Sequence, residues 1–129
     1  MTEPEPNRVL VVDDDFHILR LLELALAKAG CEVVAVSTGP EGLGEAIKGD
    51  FSAVVTDISM PGMTGIELID AIKSLGSSVP ILVLTAHAEH EMVMDAMQKG
   101  AFDYIVKDQD ISTRIVHAVQ KAQGHERMS

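Results

Sequence analysis

Four short apolar runs each end in a polar residue able to do chemistry. Val9-Leu10-Val11-Val12 runs into Asp13-Asp14-Asp15, Ala53-Val54-Val55-Thr56 into Asp57, Ile81-Leu82-Val83-Leu84 into Thr85, and Tyr104-Ile105-Val106 into Lys107. Carboxylates, a hydroxyl and an ammonium gathered in one place suit a divalent cation and a phosphoryl group. Crowded carboxylates repel one another, and their anionic forms persist most readily when a cation is shared. A hard, oxygen-lined site of this kind suits Mg2+, which keeps several waters and binds through one or two carboxylates plus phosphate oxygens.

Those residues meet only if the runs are strands of one parallel sheet, whose carboxyl ends share an edge where ligands bind. The pattern between the runs supplies the helices such a sheet needs. Helical stretches are expected over Phe16–Ala29, Pro40–Lys48, Gly65–Leu75, Glu89–Lys99 and Ile111–Gln123, each followed by a glycine at 30, 49, 76, 100 or 124. Glycine takes the left-handed conformation that often ends a helix. Thr38 with Glu41 and Thr64 with Glu67 have capping-box spacing, and Asp15 and Asp110 are suited to be N-caps. Gly42 and Gly44 weaken the second helix. The aliphatic runs show no polar alternation, as in strands covered on both faces. Short-linked strand–helix units then give right-handed crossovers. The expected fold is a (βα)5 doubly wound α/β sandwich, flavodoxin-like, with strand order 2-1-3-4-5, which sets Asp13–Asp15 beside Asp57.

The chain of 129 residues, 47% of them hydrophobic, has the size and apolar content of one domain over 1–129. Its core is expected over about residues 8–123, with short flexible ends. No run approaches the roughly 18–20 apolar residues that span a bilayer, and the start Met1-Thr2-Glu3-Pro4-Glu5-Pro6 has neither the basic nor the apolar part of a signal peptide. A cytoplasmic protein with no membrane partner is expected. A net charge of −10 without a basic stripe argues against nucleic-acid binding, which rests on Lys and Arg meeting phosphates. Cys31 stands alone and reads as a buried structural thiol. His87 and His90, with Glu89 and Glu91, read as a polar helix start, because no HExxH spacing or separate ligand cluster accompanies them.

Several motifs in order resemble a response regulator receiver domain: Val11-Val12-Asp13-Asp14, Asp57 followed by Met60-Pro61-Gly62 and Gly65, Thr85-Ala86, and Lys107 shortly after Tyr104. The likeness covers about Arg8 to Gln123. It implies that Asp57 is the phospho-acceptor, that Asp14 and Asp57 coordinate Mg2+ directly, that Asp13 acts mainly through water, and that the Ser59 carbonyl adds a ligand. It also implies a phosphohistidine donor on a sensor histidine kinase or histidine phosphotransfer protein. Lys107 and the Thr85 hydroxyl would stabilise phosphoryl charge, and slow self-dephosphorylation would reset the domain. Ser59 and His87 match positions that flank the phosphoryl group and tune its lifetime. In the implied switch, Thr85 moves inward and Tyr104 fills the vacated space. The altered face of the fourth helix, fifth strand and fifth helix is expected to carry Tyr104, the helix-four methionines among Met92, Met94 and Met97, and Ile115, Val116 and Val119, some of which a partner or a second copy would cover. The chain ends soon after the fifth helix, as a stand-alone receiver would, or a piece of a longer protein.

One departure stands out. Receivers usually carry proline after the conserved lysine, often in a cis peptide, and here the residue is Asp108. A cis bond without proline costs roughly 2.5–4 kcal/mol, so a trans loop on another path is expected, with Asp108 and Asp110 bringing negative charge near Lys107. Asp15 has a plain role open to it as a helix cap, and Tyr104 as an ordinary strand aromatic. Two rival functions are a docking module that no longer uses phosphorylation and a phosphatase of the haloacid dehalogenase type. The second wants Asp-x-Asp-x-Thr or Val, which Asp13-Asp14-Asp15-Phe16-His17 lacks.

Overall fold

The structure, a computed structural model, describes residues 7–86 and 90–128. Its elements alternate: β1 (Arg8–Val12), α1 (Phe16–Lys28), β2 (Glu32–Val36), α2 (Gly39–Lys48), β3 (Ala53–Asp57), α3 (Gly65–Ser74), β4 (Ile81–Thr85), α4 (His90–Gln98), β5 (Asp103–Val106) and α5 (Ile111–Met128). All strand pairs are parallel, in the order β2-β1-β3-β4-β5. This is the order expected from the sequence.

Successive strand residues point to opposite faces, so the aliphatic runs serve two cores at once. Leu10, Val12, Val54, Ile81 and Val83 pack with α3 and α4 through Leu68, Ile69, Ile72, Val93 and Ala96, and with α2 through the partly buried Leu43 and Ala46. Val9, Val11, Val55, Leu82 and Leu84 pack with α1 and α5 through Leu22, Leu26, Ile111, Ile115 and Val119. β1, β3 and β4 are covered on both sides, which explains the missing polar alternation.

The caps behave as local chemistry requires. Asp15 accepts from the His17 and Ile18 amides, Thr38 from Glu41, and Thr64 forms a full capping box with Glu67. Gly30, Gly49, Gly76 and Gly100 take φ between 81° and 108°, as expected of helix stops. Gly124 does not. The expected end of α5 at Gln123 is corrected, because the helix runs through Gly124 to Met128. A helical glycine costs only about 1 kcal/mol against alanine, and the turn before it is anchored: buried Gln123 donates from Nε2 to Ser52 Oγ at 2.8 Å, and Ser52 Oγ donates to the Arg8 carbonyl at 3.0 Å. Cys31 is half-buried rather than buried, packs at the margin of the α1–α5 core, and its thiol is pushed up by that burial.

Candidate functional site

β1 and β3 lie side by side with Val12 opposite Thr56, so the next residues, Asp13 and Asp57, emerge together at the sheet's carboxyl edge. Asp57 pairs in register with Leu84, and Thr85 follows, opposite Val106. The Lys107 amide donates to the Thr85 carbonyl at 2.8 Å, which brings Lys107 to the same edge. Below Asp57 the chain passes unusually close. A Cβ on Gly65 would collide with the Asp57 carbonyl oxygen and lie 2.9 Å from the Ile58 Cα, so only glycine lets α3 begin there.

The structure thus brings together Asp13, Asp14, Asp57, Thr85 and Lys107. The Lys107 ammonium, with its side chain 13% exposed, sits 2.8 Å from Asp13 Oδ2 and 3.2 Å from Asp57 Oδ2. Asp13 Oδ1 accepts from the Asp15 amide at 2.8 Å, and Asp57 Oδ1 from the Ser59 amide at 3.3 Å. Burial pushes the Asp57 carboxyl up to about 6, and the Asp13 charge adds to it against the opposing pull of Lys107. Asp13 is raised as well, by burial first. Burial alone would lower Lys107, but the hydrogen bond and charge of Asp13, and then Asp57, hold it above the usual lysine range. Two buried carboxylates therefore share one ammonium, and the site carries an excess of negative charge.

This donor set fits a hard cation. Asp13, Asp14 and Asp57 each offer a carboxylate oxygen, and the three atoms lie within 4.8 Å of one another. Asp13 and Asp57 are 0% and 6% exposed, while Asp14 is exposed and leaves the cluster open to solvent on its side. Asp13 Oδ2 is paired with the Lys107 ammonium at 2.8 Å, and no amide or hydroxyl among the described residues donates to that oxygen. An acceptor in that state is suited to a metal ion or to a water held by one. Asp15 is placed differently, its Oδ1 occupied by the His17 and Ile18 amides at 2.9 and 3.3 Å. Asp14→Ala is therefore expected to weaken Mg2+ binding far more than Asp15→Ala, and Asp15→Ala to lower stability by about 0.5–2 kcal/mol. Calorimetric titration and thermal melts of both variants check this, and equal losses of metal affinity would refute the division.

Asp108 is joined through a trans peptide, as expected. Its carboxylate pairs with Arg114 at 2.7 Å, while the Lys107 ammonium pairs with Asp13 and Asp57. Asp110 precedes α5, but the side-chain bond to that turn comes from Asp108 Oδ1, which accepts the Asp110 amide at 2.9 Å. Tyr104 is 47% exposed, and Met94 and Met97 are exposed beside the partly buried Met92. The expected outer face is corrected at α5: Ile115 and Val119 are fully buried against the sheet, and Val116 lies in the groove between α1 and α5. A groove along β5 and α5 is lined instead by Tyr104, Arg114, His117 and Lys121. Helical spacing in the sequence carried that signal, since residues 114, 117 and 121 share one face. His87 and Glu89 lie outside the described residues.

Comparison with known proteins agrees with this geometry. The response regulator receiver domain family matches residues 9–120. The chain is 38% identical over 117 residues to the DNA-binding transcriptional regulator NtrC of Salmonella typhimurium, covering 91% of this chain and 25% of that protein, so it spans about a quarter of the length of such relatives. Among solved structures, a response regulator receiver domain protein from Clostridium thermocellum superposes with a TM-score of 0.88 at 27% identity, covering 95% of this chain and 98% of that one. The Vibrio cholerae chemotaxis protein CheY4 does so at 0.84 and 30% identity, covering 91% and 98%. With its strand order, its carboxylate cluster and these relationships taken together, the chain belongs to the response regulator receiver domains of two-component systems.

Proposed function

We propose that this domain takes a phosphoryl group onto Asp57 from a phosphohistidine of a sensor histidine kinase or histidine phosphotransfer protein, with Mg2+ at the carboxylate cluster. The observation that carries the reading is the Asp57 carboxylate, held at a strand end 3.2 Å from Lys107 and clustered with Asp13 and Asp14. An Asp57 oxygen attacks phosphorus as the bond to the imidazole nitrogen breaks, with entering and leaving atoms in line. Lys107 meets the charge spread over the equatorial oxygens, and the Thr85 hydroxyl takes another of them. Asp14, Asp57 and the Ser59 carbonyl would hold the ion directly, and Asp13 through water. Bound there, Mg2+ supplies neutralisation of phosphoryl charge. The raised Asp57 carboxyl means that in the apo domain part of the population is protonated near pH 6, and its nucleophilic form grows as pH rises above that value.

Water attacking the acyl phosphate resets the domain slowly, so it acts as a phospho-acceptor rather than a turnover enzyme. Phosphorylation draws Thr85 inward, and the half-exposed Tyr104 ring takes up the space, a local charge event biasing a two-state element. The changed face of α4, β5 and α5 then meets a partner or a second copy. The net charge of −10 argues that this segment itself does not contact nucleic acid. Among the described residues no helix is long and apolar enough to cross a membrane, and a cytoplasmic setting goes with this reading.

Incubation with acetyl phosphate and Mg2+, followed by mass spectrometry and hydrogen exchange, tests both halves. A single alkali-labile phosphoryl group and exchange changes on α4, β5 and α5 are expected. Label on Ser, Thr or His, or no label at all, would overturn the acceptor role. Exchange changes confined to α1 and α2 would overturn the switch face.

A further inference from the structure

Asp108 has every backbone and side-chain polar function engaged. Its amide donates to the Val106 carbonyl at 3.0 Å, and its carbonyl accepts from the Ile111 amide at 3.1 Å. Oδ1 accepts from the Asp110 amide at 2.9 Å, and Oδ2 accepts from Arg114 Nη1 at 2.7 Å. One residue thus ties the end of β5 to the first turns of α5, immediately after Lys107. On the other side, the Lys107 amide is held by the Thr85 carbonyl at 2.8 Å. The backbone that carries the ammonium is clamped from both directions. The Asp108–Arg114 pair is too exposed, at 37% and 50%, to contribute much to stability, which leaves geometry as its main consequence.

We infer that Asp108, braced by Arg114, is a positioning residue for Lys107: it holds the loop on the path that delivers the ammonium to Asp13 and Asp57. This rests on Lys107 acting on the phosphoryl group, as proposed above. Side-chain bonds to Asp110 and Arg114 here restrict the loop where a proline ring would restrict it by covalent geometry.

The test is the rate of Asp57 phosphorylation by acetyl phosphate with Mg2+, read by mass spectrometry, for Asp108→Ala, Asp108→Asn, Arg114→Ala, Lys107→Ala and the double variant Lys107→Ala/Asp108→Ala. Since small misplacements of a reacting group cost up to about 10²-fold, Asp108→Ala is expected to slow phosphorylation by roughly tenfold or more. Arg114→Ala should follow it in part. Asp108→Asn, which keeps the oxygen that accepts the Asp110 amide, should recover part of the rate. In the Lys107→Ala background, Asp108→Ala should change the rate less than about twofold, because residues acting through one another are not additive. A purely structural role would slow both backgrounds by the same factor, and that outcome, or a wild-type rate in Asp108→Ala, would overturn the inference. Arg114→Ala, at an exposed position, keeps the test informative if Asp108→Ala fails to fold. A Lys107→Ala protein phosphorylated at the wild-type rate would instead show that the parent reading of Lys107 is at fault.

Discussion

Lys107→Ala is expected to cost the domain stability and phosphorylation rate while tightening its hold on Mg2+. The ammonium now serves Asp13 at 2.8 Å and Asp57 at 3.2 Å, both buried. Removing one partner of a buried ion pair leaves charge uncompensated and typically costs about 3–5 kcal/mol. The loss should be largest at neutral pH without metal. It should shrink as pH falls through about 6, where Asp57 takes up a proton. Loss of a donor aimed at developing charge typically slows a reaction by about 10²–10³-fold, and a fall in phosphorylation of that order is expected. Mg2+ affinity should rise, because a positive charge beside the cation is gone. Denaturant melts, calorimetric titration and acetyl phosphate kinetics on one preparation check all three. Weaker Mg2+ binding together with unchanged phosphorylation would contradict the placement of Lys107.

Asp57→Asn should abolish phosphorylation and, in the apo domain, raise stability at neutral pH. The folded carboxyl is raised from 3.8 to about 6, first by burial and next by Asp13. A group raised on folding contributes stability that is complete below its unfolded value and is lost as pH climbs through its folded value. Between pH 3.8 and about 6 the wild type therefore gives up roughly two units, or on the order of 3 kcal/mol. The amide escapes that loss. Melts across pH 4–8 should show Asp57→Asn ahead at pH 7 and level with wild type near pH 4, and saturating Mg2+ should narrow the gap by stabilising the wild type. A variant less stable than wild type at pH 7 without metal would mean that the carboxylate cluster is not strained in the way its burial implies.

Much of this was readable in the chain because the signals are local. Glycine's freedom at positive φ marked the stops at Gly30, Gly49, Gly76 and Gly100, and the Thr64–Glu67 spacing marked a helix start. Gly124 shows where such signals fail: a helix stop is a preference of about 1 kcal/mol, and the Gln123–Ser52 bond with Ala122 in the core outweighs it. Ile115 and Val119 show a second limit. Apolar spacing says that a helix has a buried side but not which neighbour covers it, and here the sheet does.

What the sequence by itself determined is the alternation of five strands and five helices, their parallel order, and the meeting of Asp13, Asp14, Asp57, Thr85 and Lys107 at one edge. These follow from short-range rules: apolar runs that must be covered on both faces, short connections that allow one crossover hand, and a sheet whose carboxyl ends coincide. Tertiary structure alone decided the sharing of one ammonium by two carboxylates, the rise of Asp57 to about 6, the turning of Asp108 to Arg114, and the exposure of Tyr104. Each depends on how deeply a group is buried and which charge stands a few ångströms away, and residues far apart in the chain set both.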